Sequence, residues 1–296
     1  MHLKFLRRTA ALALSALLVL SLTAPVLASD RAEREAAFLT ELAALPHYQE
    51  ARAERYLAYL GSGKYTPEQI LRIVNTDSDL PAYENMAEAD TSCGILMLVN
   101  KHNYLGRYEP EKLASLGRYG SWGSMQSEAR DAFAALVDAA AEEGYRIWAV
   151  SPYRSYDRQR SIYNSYVWSY GQRSADTYSA RPGSSEHQTG LAVDVARRGY
   201  SYNTFKGTKE CAWMQEHAHE FGFILRYGEG MEYITGYIYE PWHYRYVGVE
   251  AATFIYEHDL TFEEYYCYYV IGDEAPEGAG REAFTEEAQR EAALPS

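Results

Sequence analysis

Apolar positions recur along the chain with two periods, and these divide it into helices and short strands. Phe133, Leu136, Val137 and Ala140 share one face at the helical spacing, which predicts a helix over 126–143 stopped by Gly144. In Thr66-Pro67-Glu68-Gln69 the Thr can cap, the Pro suits the first helical position and the Gln closes a capping box, so a helix should run on to Asn75. Ser155 can cap a helix that ends at Gly171, and 208–221 reads as a helix stopped by Gly222. Thr261 and Glu264 form a second capping box that opens a short final helix. Residues 30–60 are helix-rich with a break near Pro46. Short apolar runs at 94–102, 145–151, 191–196, 223–226 and 243–247 predict strands, while 77–90 reads as loop and 107–120 as a connection. Helices and strands mix without a βαβ rhythm, which points to an α+β fold.

The two ends differ from this pattern. Lys4, Arg7 and Arg8 precede an apolar run, and Val26 and Ala28 occupy the small-residue positions of a cleavage site. That arrangement predicts a signal peptide over 1–28 and a protein that works outside the cytoplasmic membrane, an uncleaved anchor being the alternative. Residues 29–85 form a helical N-terminal region and 86–272 the main domain. The acidic, Ala-rich stretch 273–296 reads as a disordered tail. The net charge is −13, and removing the three basic residues of the signal leaves 25 Lys and Arg against 41 Asp and Glu. A balance of that sign argues against nucleic acid as a partner. Cys93, Cys211 and Cys267 form no CxxC pair, which excludes a zinc knuckle or a thioredoxin-like motif. One disulfide is open to an exported chain, with no pairing indicated.

The stretch Ser184-Ser185-Glu186-His187-Gln188-Thr189-Gly190-Leu191-Ala192-Val193-Asp194-Val195 carries the chemistry. Asp194 interrupts an apolar strand, and a buried charge needs a partner. His187 precedes it on a loop, and His243 follows Glu240 at three residues in Glu240-Pro241-Trp242-His243. Two imidazoles and one carboxylate make a three-ligand set with an open position, the usual form of catalytic zinc. A carboxylate that is not a ligand, here Glu240, can accept a proton from water. Pro241 disfavours helical angles at Glu240, so this stretch is a turn or irregular strand, and a bend is needed for residues 240 and 243 to face one metal. The plainer alternative for each motif alone is a hydrogen-bonded His–Asp pair.

Ser185-Glu186-His187-Gln188-Thr189-Gly190-Leu191-Ala192-Val193-Asp194 fits S-x-H-x-x-G-x-A-x-D, and Glu240-Pro241-Trp242-His243 fits E-x-W-H. With the segments at 98–105, 151–159 and 221–248, these motifs resemble the zinc D,D-peptidases, above all the VanY-type D-alanyl-D-alanine carboxypeptidases. That fold group also includes lysostaphin-type peptidases and the Sonic hedgehog domain, and the likeness spans roughly residues 66–270. It implies a central antiparallel sheet flanked by helices, with Zn2+ held by His187, Asp194 and His243 and Glu240 as general base. It also implies a substrate role for Arg154, which can grip a carboxylate or steady an oxyanion. Gln159 is a further substrate contact, and Ser185 and Trp242 shape the site. The segment Trp122-Gly123-Ser124 departs from the small polar stretch expected there. The implied activity is removal of the terminal D-Ala from a peptidoglycan stem peptide, with the cell-wall peptide as partner and the membrane involved only through an uncleaved signal. An L,D-carboxypeptidase acting on the tetrapeptide stem, and a non-catalytic zinc-containing cell-wall binding module, remain open. A D,D-dipeptidase fits less well, for want of an insertion to cap the amino end of a free dipeptide.

Overall fold

A computed structural model describes residues 30–120 and 122–272, so the expected signal peptide over 1–28 and the tail over 273–296 lie outside the described residues. The chain divides into two compact units at Asn75 and Thr76. Among the described residues no helix is long and apolar enough to cross a membrane.

In the first unit, helix α1 (30–43) leads through a turn at Pro46 and His47 to α2 (Ala53–Leu57) and α3 (Pro67–Asn75). The break sits where Pro46 was expected to make one, and His47 completes it at φ 63°. The predicted capping box opens α3: the Gln69 amide donates to Thr66 Oγ1 at 3.2 Å, and the Thr66 amide donates to Gln69 Oε1 at 3.0 Å. Leu42, Tyr56, Ile70, Leu71 and Val74 form this unit's own core.

The second unit begins with two short ladders. Strands β1 (Ala87–Glu88) and β2 (Asn103–Tyr104) pair parallel, and β3 (Leu113–Ser115) and β4 (Ser124–Gln126) pair antiparallel. Helix α4 (Ser127–Glu142) follows, then β5 (Ile147–Ser151), α5 (Tyr156–Tyr170) and the short α6 (Gln172–Ala175). Next come β6 (Ala192–Arg197), α7 (Lys209–His217), β7 (Phe223–Leu225), α8 (Glu232–Thr235) and β8 (His243–Tyr246). Helices α9 (Val249–Glu257) and α10 (Phe262–Tyr265) end the regular α-helical structure, the latter opened by the predicted Thr261/Glu264 capping box.

Four strands form the central sheet in the order β5-β6-β8-β7, antiparallel throughout. Helix α4 packs its apolar stripe, Ala129, Phe133, Leu136 and Ala140, into a core shared with Val193, Val195, Phe223 and Tyr244 of the sheet. The α+β architecture with a central antiparallel sheet is therefore present as expected.

One predicted strand is absent. Residues 94–102 enter as a 3₁₀ turn (Thr91–Leu96) kinked at Gly94, whose φ is 57°, and continue without a strand partner. The run is buried from Met97 to Lys101, but its carbonyls are satisfied differently. Ile95 O and Met97 O both accept from Nη2 of Arg245, at 2.8 and 2.9 Å. The Asn100 side chain takes the amides of His102 and Asn103 at 2.9 and 3.0 Å. Side chains do here what a neighbouring strand does in a sheet.

Candidate metal centre

The sheet register creates the centre. Asp194 on β6 stands directly opposite His243 on β8. His187 arrives from the other side on a one-turn 3₁₀ helix, Glu186–Thr189, that feeds β6. Gly190 makes that connection at φ 73°, and an added Cβ would stand 3.1 Å from Leu113 Cδ2 and 3.2 Å from the Gln126 backbone nitrogen. Only glycine takes this turn without strain in so tight a space.

Three ligand-type atoms converge. His187 Nε2 lies 3.3 Å and His243 Nδ1 lies 3.2 Å from the same oxygen, Asp194 Oδ1. Two ligands about 2.0–2.1 Å from one tetrahedral zinc stand roughly 3.3 Å apart, so the spacing suits a shared ion. His187 Nε2 and Asp194 Oδ1 are buried and find no hydrogen-bond partner in the protein. Buried polar atoms are rarely left so, and a cation between them resolves the deficit. The far ring nitrogens are both held: His187 Nδ1 donates to Pro152 O at 2.9 Å, and His243 Nε2 faces Glu186 Oε2 at 3.4 Å. Outer partners of this kind orient metal-binding imidazoles. The donor set fits a divalent cation, and among the described residues it is the group of three or more His, Cys, Asp or Glu able to hold one.

The electrostatics agree. Burial and then Arg154 push His187 down to about 4, so its ring is neutral at physiological pH, as a ligand must be. Burial would lift Asp194, but His187 and His243 outweigh it and hold the carboxylate well below its ordinary range. Burial would lower His243, yet the carboxylates of Asp194, Glu186 and Glu240 close around it raise it to about 9. A proton on His243 occupies the role that a metal cation would take over.

Glu240 sits beside this group and outside it. Glu240-Pro241-Trp242-His243 is a β-turn closed by the His243 amide on Glu240 O at 3.0 Å, with Pro in its favoured second position. This is the bend that the sequence required. It brings Glu240 Oε2 to 3.6 Å from His243 Nδ1. Burial pushes the Glu240 carboxyl up to about 8; His243 pulls against that rise and Asp194 adds to it.

Arg154 lies across the cleft. Its amide donates to His187 O at 3.0 Å, and its Nη2 is 3.6 Å from Asp194 Oδ2. Its Nη1 donates to Gln159 Oε1 at 2.8 Å, while Nε is buried without a partner. Gln159 is itself committed at both ends, its Nε2 donating to Ala180 O at 2.7 Å. Its amide holds the guanidinium rather than standing free for a ligand. Ser185 and Trp242 line the same cleft, which encloses about 540 Å³ and is walled by Tyr166, Tyr178, Tyr202 and Tyr237.

The profile of the family described as VanY, D-alanyl-D-alanine carboxypeptidase, matches residues 123–249, a span that holds every one of these side chains. YodJ of Bacillus subtilis (strain 168) is 43% identical over 199 residues, covering 64% of this chain and 73% of that protein. The chain belongs to the VanY-type carboxypeptidase family. Among solved structures, that of the LdcB LD-carboxypeptidase is 44% identical with a TM-score of 0.58, covering 62% of this chain and 90% of that one. A mutant of the D,D-pentapeptidase VanY from a VanB-type resistance cassette, in complex with Zn(II), is 36% identical with a TM-score of 0.52, covering 57% and 97%.

Within this family frame, several buried charges escaped the sequence reading. Glu186, Arg226, Arg245 and Glu263 are all buried around the centre. Arg245 lies inside β8 as Asp194 lies inside β6, and Arg226 follows directly on the apolar β7, so a signal of the same kind was present for them.

Proposed function

We propose that this chain is a zinc-dependent D-alanyl-D-alanine carboxypeptidase that removes the terminal D-Ala from peptidoglycan stem peptides outside the cytoplasmic membrane. One observation carries the reading. A buried His187–Asp194–His243 ligand set, a protonatable carboxyl on Glu240 and the guanidinium of Arg154 all open on one cleft. Zinc held by the three ligands would supply a Lewis acid that acidifies water and polarises the scissile carbonyl. Glu240 takes the proton from the attacking water and delivers it to the leaving amine; a cation held beside it would lower its proton affinity and leave it ionised to accept that proton. Arg154, braced by Gln159, meets the oxyanion or the terminal carboxylate with its remaining donors. Ser185 and Trp242 shape the cleft around the peptide. Export would follow from the signal-like residues 1–28.

The likeness to the LdcB LD-carboxypeptidase favours a second reading, in which the tetrapeptide stem is cut and the zinc chemistry is the same. Incubating the zinc-loaded chain separately with stem pentapeptide and stem tetrapeptide, with products read by mass, decides between them. Loss of one alanine from the pentapeptide alone supports the D,D assignment. Loss from the tetrapeptide alone moves it to L,D. Cleavage of neither, with zinc bound, removes the catalytic reading and favours a zinc-containing binding module.

A further inference from the structure

Behind the metal centre lies a chain of charges that the proposed chemistry does not use. Glu186 immediately precedes His187, and its side chain is fully buried. Its Oε1 accepts from Arg226 Nε at 2.7 Å and from Arg245 Nη1 at 3.1 Å. Its Oε2 faces His243 Nε2 at 3.4 Å. Arg226 continues outward with a two-pronged pair to Glu263 on α10, at 2.6 and 2.9 Å. Asn100 adds a hydrogen bond to the same Glu263 at 3.2 Å. Arg245 spends its other donors on Ile95 O, Met97 O and Tyr246 O.

Two carboxylates and two guanidiniums balance in charge, so nothing in the group calls for a proton on Glu186. A carboxylate between two guanidiniums acts as acceptor only. The nitrogen of His243 that faces it must then carry the ring's hydrogen. In the neutral ring that a metal requires, this leaves the lone pair on Nδ1, the atom turned to Asp194. His187 is set the opposite way, with Nδ1 donating to a backbone carbonyl that can only accept and Nε2 turned inward. The ring of Tyr227 packs on His243 at 4.8 Å and limits its rotation. Buried ion pairs of this type seldom stabilise a fold more than apolar residues of the same size do. Their geometry here has a use at the centre instead.

We propose that Glu186 is the positioning residue for His243, selecting the tautomer with Nδ1 free for the metal, and that Arg226 and Glu263 hold Glu186 in that role. The inference rests on the metal reading above. It extends the functional unit to α10, beyond residue 249 where the family profile ends.

The test uses the full chain labelled with 15N-histidine and loaded with zinc. The expected spectrum shows a slowly exchanging proton on Nε2 of His243 and none on Nδ1. In parallel, a chromophoric chelator competes for zinc with the wild type, Glu186→Gln and Glu263→Gln. Glu186→Gln should weaken zinc binding by roughly 10- to 100-fold, and Glu263→Gln by less in the same direction. Glu263→Gln and the wild-type spectrum stand as tests even if Glu186→Gln fails to fold. Wild-type zinc affinity in both variants overturns the inference and leaves the metal reading intact, whereas a His243 ring with its proton on Nδ1 overturns the inference and removes His243 from the ligand set. A wild type that takes up no zinc overturns both.

Discussion

Asp194 and Glu240 show how neighbouring carboxyl groups of similar intrinsic acidity acquire different roles. Asp194 lies between two imidazoles, whose attraction outweighs the burial that would raise it. Glu240 is nearly as buried, and the pull of His243 and Arg154 on it is opposed by the carboxylates of Asp194 and Glu186, so desolvation dominates and pushes it up to about 8. Divergent environments of this kind suit Asp194 to the proposed ligand role and Glu240 to the proposed proton carrier. Glu240→Gln keeps the side chain's shape and removes its titration. We expect that variant to bind one zinc, measured by metal analysis, while kcat falls by about 10²- to 10⁴-fold. A variant with normal turnover would assign the base elsewhere.

At the scale of elements, the proposed ligands are placed by a strand pair and two turns. The β6/β8 register sets Asp194 opposite His243, and a slip of one residue would turn one of them to the other face of the sheet. The ladder between β5 and β6 is irregular between Ala149 and Ser151, where the chain leaves the sheet towards Arg154. Irregularities of this kind re-aim side chains beside active sites. Gly190 controls the entry to β6. Gly190→Ala would place a Cβ in a left-handed conformation against Leu113 and the Gln126 backbone. We expect it to lower stability by about 1–3 kcal/mol in urea unfolding, with weaker zinc binding as His187 moves. An unchanged midpoint would mean that the turn relaxes freely.

For the second unit as a whole, the centre is mounted on an apolar core rather than built by the ion. Leu191 just before β6, Val193 and Val195 on β6 and Tyr244 on β8 flank the proposed ligands and share a core with α4. Unlike a small zinc-dependent domain, a unit with a core of this extent is expected to fold without metal. Removing zinc by chelation should therefore lower the melting temperature while the far-ultraviolet circular dichroism at 25 °C is retained. The ion's contribution is the mass-action amount, about 2.7 kcal/mol when free zinc stands at a hundred times its dissociation constant. Loss of secondary structure on chelation at 25 °C would show instead that the metal holds the sheet together.

Local chemistry was legible in the sequence. Helix ends followed from Thr66, Ser155, Gly222 and Thr261, whose side chains or conformational freedom satisfy backbone groups close by. The ligand candidates followed from Asp194 interrupting an apolar strand, and the turn at Glu240 from Pro241. Only the tertiary structure decided where distant polar groups meet. The run at 94–102 has a strand's composition, but whether it pairs depends on Arg245, remote in sequence, reaching its carbonyls. Gln159 is a polar residue on a helix face until the fold sets Arg154 on one end of its amide and Ala180 on the other. The burial of Arg226 is hinted at by its place beside the apolar run at 223–225, but its pairing with Glu186 and Glu263 is not, for the same reason. Burial of a charge is tolerable only when a partner arrives from elsewhere in the fold, and the sequence does not list which partner arrives.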